Sequence, residues 1–169
     1  MIVDFLFFAS PVAYFIAKKE PIFQNLGIFS NGFKTDFIKF IQLLGAILVI
    51  SIAISLIVTF FGFNDLGKVG DVVLKLRETS PLLLIYLLVA RVIAEEVFFR
   101  GFLLKRIGLI PSTLLFGIAH ISYGSVAEII GALILGAVLA KAFEKNGNLI
   151  PNIFAHMFYN LIFVAFMLV

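Results

Sequence analysis

Long apolar stretches alternate with short polar ones along the whole chain. The apolar segments cover about residues 2–17, 40–63 and 80–104, a fourth stretch from Ser112, about 126–143, and a last stretch from Pro151 to the C-terminus. A helix of roughly 20 apolar residues crosses the hydrocarbon core of a bilayer. Backbone in lipid must satisfy its own hydrogen bonds. The pattern therefore predicts an all-α fold, a polytopic transmembrane helical bundle with about six membrane segments.

Polar and turn-forming residues mark the ends of several segments. Ser80 is a candidate N-cap with Pro81 at the first helical position, and Ser112 is a candidate N-cap of the fourth segment. We expect residues 20–36 to form a polar-aromatic loop and residues 64–79 to form a short interfacial helix or loop.

The first segment is short for a span, and an interfacial position would move the N-terminus to the cytoplasmic side. We expect it to be retained, because it lacks the basic start and the cleavage site of a signal peptide. No repeat or linker divides the chain, so we expect one integral membrane domain over residues 1–169. In the fifth segment, Ala132, Gly136 and Ala140 form a small-residue stripe that permits close helix packing.

The composition excludes an ordinary soluble domain. Hydrophobic residues make up 62% of the chain and charged residues 14%, whereas soluble domains are about half apolar and about a quarter charged. The absence of cysteine excludes disulfides, cysteine zinc sites and a cysteine nucleophile. The lipid bilayer is therefore the expected surrounding, with the chain a multi-pass protein of the cell membrane.

Basic side chains are distributed unevenly between the loops. Those of the first, third and fifth loops are Lys18, Lys19, Lys34, Lys39, Lys105, Arg106, Lys141 and Lys145. The second and fourth loops hold only Lys68, Lys75 and Arg77. The positive-inside rule places the odd loops in the cytoplasm and both termini outside. This explains the net charge of +3 without a nucleic-acid partner, and none is expected.

Three charges interrupt the third apolar segment. Glu95, Glu96 and Arg100 lie within six residues of each other. A charge at membrane depth costs roughly 2.5–3.5 kcal/mol on insertion scales, so this cluster requires a reason. Residues four apart share one face of a helix, which pairs Glu96 with Arg100 and Arg91 with Glu95. One interpretation is purely structural, with both carboxylates in salt bridges. The pairing with Arg100 leaves Glu95 as the freer base, unless Arg91 neutralises it.

Polar side chains on two later segments lie at a similar depth. At 1.5 Å per residue, Glu95 and His120 both lie roughly 15 Å from the loop that joins their helices. His156 lies roughly 10 Å into the last helix from its cytoplasmic end, and Asn160 lies one turn deeper. We therefore expect one polar layer on the cytoplasmic side of the bilayer.

The chemistry available to this layer is limited. A carboxylate in an apolar site and a neutral histidine can together deprotonate water. A second histidine and an asparagine amide can donate hydrogen bonds to a tetrahedral oxyanion. The same His and Glu side chains could instead bind zinc with an open coordination position, although the compact His-Glu-x-x-His arrangement is absent.

The three motifs together resemble the CAAX protease and bacteriocin-processing (abortive infection) family of intramembrane glutamate proteases. The family pattern is Glu-Glu-x-x-x-Arg, then Phe-x-x-x-His, then His-x-x-x-Asn or Asp. The chain carries them in this order as Glu95–Arg100, Phe116–His120 and His156–Asn160. The resemblance covers about residues 80–169, the expected catalytic core, while the first two segments are similar only in being membrane helices.

The resemblance implies a helical bundle with an active-site cavity open to the cytoplasm. It implies that Glu95, with His120, activates water for hydrolysis of a peptide bond. Glu96 and Arg100 would be assisting or positioning residues.

The remaining motif implies the oxyanion donors, His156 and Asn160. The reaction would need no metal or other cofactor, and the partner would be a peptide or protein substrate with or without a lipid modification.

Two other classes of function remain open. A non-catalytic membrane partner, such as a bacteriocin-immunity or scaffold protein of the same family, would use the polar layer to hold helices together. An ion or proton translocator would use its buried carboxylates, but a single polar layer does not form a path across the bilayer.

Overall fold

The computed structural model describes residues 2–63 and 65–167, and the described residues form eight helices and no strand. The helices are α1 (Ile2–Lys18), α2 (Ile22–Leu26), α3 (Phe33–Phe60), α4 (Gly67–Thr79), α5 (81–107), α6 (Leu109–Ile118), α7 (Val126–Asn146) and α8 (Ile150–Met167). The prediction of an all-α membrane bundle is confirmed. By length and composition, α3, α7 and α8 can each cross a membrane.

Helix α5 runs without a break from residue 81 to residue 107. It combines three α-helical stretches with two π-helical stretches, Leu87–Arg91 and Glu96–Leu104, and the backbone stays in the right-handed helical region at each junction. Wider π-type turns are frequent at functional sites. Here the first π-helical stretch ends at Arg91, four residues before Glu95, and the second begins at Glu96, directly after it.

Helix α5 contacts α1, α2, α4, α6, α7 and α8. Helix α8 lies against α3, and α6 lies against α7. The small-residue stripe of α7 is buried as expected. A side chain at Gly136 would lie 2.8 Å from the ring of Phe116, so the absence of a Cβ there allows α6 to approach α7 closely. Amphipathic α4 packs against α5 and α8 and buries Val69 and Val73.

The region before α3 is less of a loop than the sequence predicted. Helix α2 lies within residues 20–36, and α3 begins at Phe33 rather than near residue 40. Asp36 explains the early start. Its carboxylate accepts hydrogen bonds from the Ser30 hydroxyl (2.7 Å), the Asn31 N–H (3.1 Å) and the buried Asn148 amide (2.7 Å). These contacts fix the charged first turns of α3 against the α7–α8 connection.

The prediction that Ser112 caps the fourth segment is wrong. Helix α6 begins at Leu109, and the Ser112 hydroxyl donates to the Leu109 carbonyl (3.1 Å) inside the helix. Pro111 is tolerated because it lies in the first turn, where its missing N–H has no helical partner. Ser80 does occupy the N-cap position of α5, with its carbonyl, not its side chain, accepting from Leu83 and Leu84. Residues 64–79 were expected as a short helix or loop, and α4 forms within them.

Candidate active site

A cavity of about 140 Å³ lies at the centre of the bundle. Four of the predicted site residues line it: Glu95, His120, His156 and Asn160. They come from α5, from the turn after α6, and from α8. A cavity of this size has room for several waters. The expected polar layer therefore has a common space into which its side chains face.

His120 lies beyond the helix on which it was placed. Helix α6 ends at Ile118, and His120 begins a turn that continues as the 3₁₀ helix Ile121–Tyr123. Its Nδ1 lies 2.8 Å from the Phe116 carbonyl oxygen. Because a carbonyl only accepts, Nδ1 carries the proton in this contact. In the neutral ring, Nε2 is then the nitrogen with a free lone pair.

Glu95 forms the ion pair that the spacing predicted. The Nε of Arg91 lies 2.8 Å from its Oε1, and the Glu95 side chain is 4% exposed. Arg91 also lies 3.8 Å from Asp4 of α1, whose carboxylate accepts from the Tyr86 hydroxyl (3.2 Å). Arg91 is thus shared between two carboxylates, and only Glu95 and Arg91 of this group face the cavity.

Glu96 has entirely different surroundings. It is fully buried, and its Oε1 lies 3.0 Å from Arg100 Nη1 and 2.9 Å from His156 Nδ1. Neither Glu96 nor Arg100 lines the cavity. Arg100 also donates to the Gly136 carbonyl (3.4 Å) and stacks 4.0 Å from the centre of the Phe116 ring. Glu96 and Arg100 therefore form a buried network that joins α5 to α6, α7 and α8.

Asn152 belongs to the same network and escaped the sequence analysis. It is fully buried, one turn before His156 on α8, beside Glu96. Its amide donates to the Leu139 carbonyl of α7 at 2.7 Å. The spacing Asn152, His156, Asn160 repeats every four residues and could have revealed one polar edge of α8.

Glu128 and Tyr123 also line the cavity without having been predicted. Glu128 stands three residues after Ser125, a spacing typical of a helix N-terminal capping box. Ser125 is the N-cap of α7, and its hydroxyl accepts from the Glu128 N–H (3.1 Å). The Ser125–Glu128 spacing is visible in the sequence, but it predicts only where the helix starts. It does not predict that the Glu128 carboxylate lines a cavity.

Asp65 anchors the segment between His120 and Glu128. Its carboxylate accepts from the Val126 N–H (2.7 Å), the Ala127 N–H (3.1 Å) and the Ser125 hydroxyl (2.8 Å). The two backbone hydrogen bonds, from Val126 first, lower the pKa of Asp65 from its ordinary 3.8 to about 2. Lys68 adds a hydrogen bond to the Gly124 carbonyl (2.9 Å). The start of α7 is thereby tied to the start of α4.

The described residues contain no group of three or more His, Asp or Glu side chains arranged to hold a metal ion. The two histidines make their Nδ1 contacts with protein oxygens, which leaves one nitrogen of each ring for the cavity.

Comparison with known proteins gives two matches. The model of the family described as "Type II CAAX prenyl endopeptidase Rce1-like" matches residues 77–162, just over half of the chain and all three motifs. An uncharacterized protein of Mycoplasma capricolum subsp. capricolum is 40% identical over 75 residues, 44% of this chain. The match spans only 22% of that relative's length. No solved structure matches the chain. The chain belongs to the Type II CAAX prenyl endopeptidase Rce1-like family.

Proposed function

We propose that the chain is an intramembrane endopeptidase of the CAAX-processing type. One observation supports this above all. Glu95 and His120, the candidate water-activating pair, share a cavity with His156 and Asn160, the candidate oxyanion donors. Glu96 and Arg100 lie outside that cavity and hold one of the donors. The substrate would be a peptide or protein, with or without a lipid modification, and the cavity would be reached from the cytoplasm.

The first proposed step is deprotonation of water. His120 donates through Nδ1 to the Phe116 carbonyl, so its Nε2 is available to accept a proton while Glu95 orients or accepts from the same water. The hydroxide attacks the carbonyl carbon of the scissile peptide bond and forms a tetrahedral intermediate. Its collapse breaks the C–N bond, and the proton held by the Glu95–His120 pair passes to the leaving amine.

The oxyanion would be stabilised by Asn160 and His156. His156 Nδ1 already donates to Glu96, so Nε2 can donate only when the ring is doubly protonated. The Glu96 carboxylate, 2.9 Å from Nδ1, accepts this hydrogen bond and fixes the orientation of the ring. This gives Glu96 a positioning role, and Arg100 in turn keeps Glu96 in place.

A non-catalytic membrane partner is the second candidate, and one contact favours it. The Arg91 side chain lies 2.8 Å from Glu95 and neutralises the proposed base. Hydrolysis requires that Glu95 exchange part of this ion pair for water, whereas a scaffold would keep it closed.

Cleavage of quenched fluorescent peptides by the purified chain in lipid nanodiscs tests the proposal. We expect His120→Ala to abolish cleavage while retaining wild-type helicity and a single monodisperse species. Glu144→Gln is the control, because Glu144 lies exposed on α7 outside the cavity. Equal cleavage by wild type and His120→Ala would refute the proposal. Loss of cleavage with a strong chelator, restored by zinc, would overturn the metal-independent route.

A further inference from the structure

Glu128 is a half-buried carboxylate that the proposed reaction does not use. It lies in the first turn of α7 and faces the same cavity as Glu95 and His120. It also borders a second cavity of about 280 Å³ between α3, α7 and α8, which is mostly apolar. Glu128 and Tyr159 line both cavities. Glu128 therefore lies where the proposed catalytic space meets an adjoining groove.

Helix capping does not account for the position of Glu128. In a capping box, the glutamate at this position turns back to the N-cap backbone. Here Asp65 takes the Val126 and Ala127 N–H groups, and Ser125 takes the Glu128 N–H. The start of α7 is thus capped without the Glu128 side chain, whose carboxylate faces the cavity instead.

No described residue supplies Glu128 with an ion-pair partner. The two arginines nearest the catalytic layer are engaged elsewhere, Arg91 with Glu95 and Arg100 with Glu96. Glu128 is therefore the cavity carboxylate that neither of these arginines offsets. A buried charge is strongly favoured to acquire a partner of opposite sign.

The space beside Glu128 suits a long side chain. Gly131, three residues further along α7, also lines both cavities, and nothing lies within 4 Å of where its Cβ would be. Leu135 and Phe163 line both cavities nearby. An apolar wall that leads to one carboxylate matches the methylene stem and charged end of a lysine or arginine.

We propose that Glu128 is a specificity-determining residue that binds a basic side chain of the substrate, so that the preferred substrate carries a lysine or arginine near the scissile bond. This rests on the proposed peptidase function for its catalytic readout, but not for its binding readout.

Two matched sets of nine-residue quenched peptides test the proposal by cleavage. One lysine is moved through every position of the first set, and glutamine replaces it in the second. A charge-assisted hydrogen bond is worth enough to change binding by about tenfold. At one peptide position, we expect the wild type to have a KM about tenfold lower for the lysine peptide than for the matched glutamine peptide. Glu128→Gln should remove this preference, Glu128→Lys should favour glutamate there, and Glu144→Gln should change nothing.

Binding keeps the proposal testable if no peptide is cleaved. Fluorescein-labelled forms of the same peptides are titrated by fluorescence anisotropy against His120→Ala and against the double variant His120→Ala/Glu128→Gln. His120→Ala is chosen because it leaves the Arg91–Glu95 ion pair in place. Lysine peptides should bind the first about tenfold more tightly than the second. Equal affinities, or a lysine preference that survives Glu128→Gln, would overturn the role of Glu128, whereas a lack of cleavage alone would count only against the peptidase.

Discussion

Glu95 and Glu96 are neighbours in sequence but occupy two different regions of the molecule. Glu95 faces a cavity and has one arginine partner that is itself shared with Asp4. Glu96 is buried behind that cavity between Arg100 and His156. Successive residues of a helix point about 100° apart, so one step along α5 separates a side chain that lines the cavity from one that does not. The comparison indicates that the neighbouring side chains, more than the residue type, determine what each glutamate can do.

The largest expected effect is on the cavity side. Glu95→Gln removes the proposed base but retains the shape of the side chain, and general-base groups contribute roughly 10²–10⁴-fold to rate. We expect kcat for peptide cleavage to fall by that factor, measured in nanodiscs, with little change in thermal unfolding. A variant that cleaves at the wild-type rate would move the base elsewhere in the cavity.

Substitution of Glu96 should mainly lower the free energy of unfolding. Glu96→Leu leaves the buried Arg100 without its carboxylate, and breaking a buried ion pair on one side typically costs about 3–5 kcal/mol. The measurement is reversible unfolding in mixed micelles. The double variant Glu96→Leu/Arg100→Met should recover much of that loss, since an apolar pair leaves no unpaired charge. If Glu96→Leu is as stable as wild type, the two carboxylates do not differ as described.

Arg91 offers a smaller and sharper test of the difference. The Arg91 side chain is 22% exposed and that of Glu95 is 4% exposed, so solvent screens this ion pair from the arginine end and weakens it relative to a fully buried pair. Arg91→Gln should therefore change kcat/KM by less than about tenfold, the factor that corresponds to ~1.4 kcal/mol. A loss as large as that of Glu95→Gln would mean that Arg91 and Glu95 act as a unit in the reaction.

The smallest effect is expected at Asp65, which anchors the start of α7 near the cavity side. Its pKa is about 2 in the folded chain against an ordinary 3.8. A lowered folded-state pKa contributes stability that is present above about pH 4 and is lost as pH falls toward 2. The unfolding midpoint of the wild type should therefore fall over this range more than that of Asp65→Asn. Parallel curves for the two proteins would contradict the anchoring role.

Local spacing predicted the part of the site that lies within one helix. The pairs Arg91 with Glu95 and Glu96 with Arg100 follow from four-residue spacing, and both are confirmed at 2.8 Å and 3.0 Å. Family membership, read from three motifs, is confirmed as well. These features depend on helix geometry and on the order of residues, which a sequence contains directly.

Contacts between distant segments were out of reach. The position of His120 depends on where α6 ends, which is at Ile118. The helix also starts earlier than predicted, because Gly108, at φ 82°, changes the chain direction directly before Leu109. Asp65 meets the start of α7 across 61 residues of sequence. Because Asp65 caps the start of α7, the Glu128 side chain is not needed there. No local sequence pattern predicts this contact. The polar side chains that were missed are those whose roles come from another helix.

A high-resolution experimental structure of the chain in lipid tests the central claim most directly, through the water in the cavity. We expect an ordered water within hydrogen-bonding distance, about 2.6–3.2 Å, of both the Glu95 carboxylate and His120 Nε2, with His156 and Asn160 facing the same space. A structure in which Arg91 occupies both oxygens of Glu95 and no water reaches His120 would contradict it.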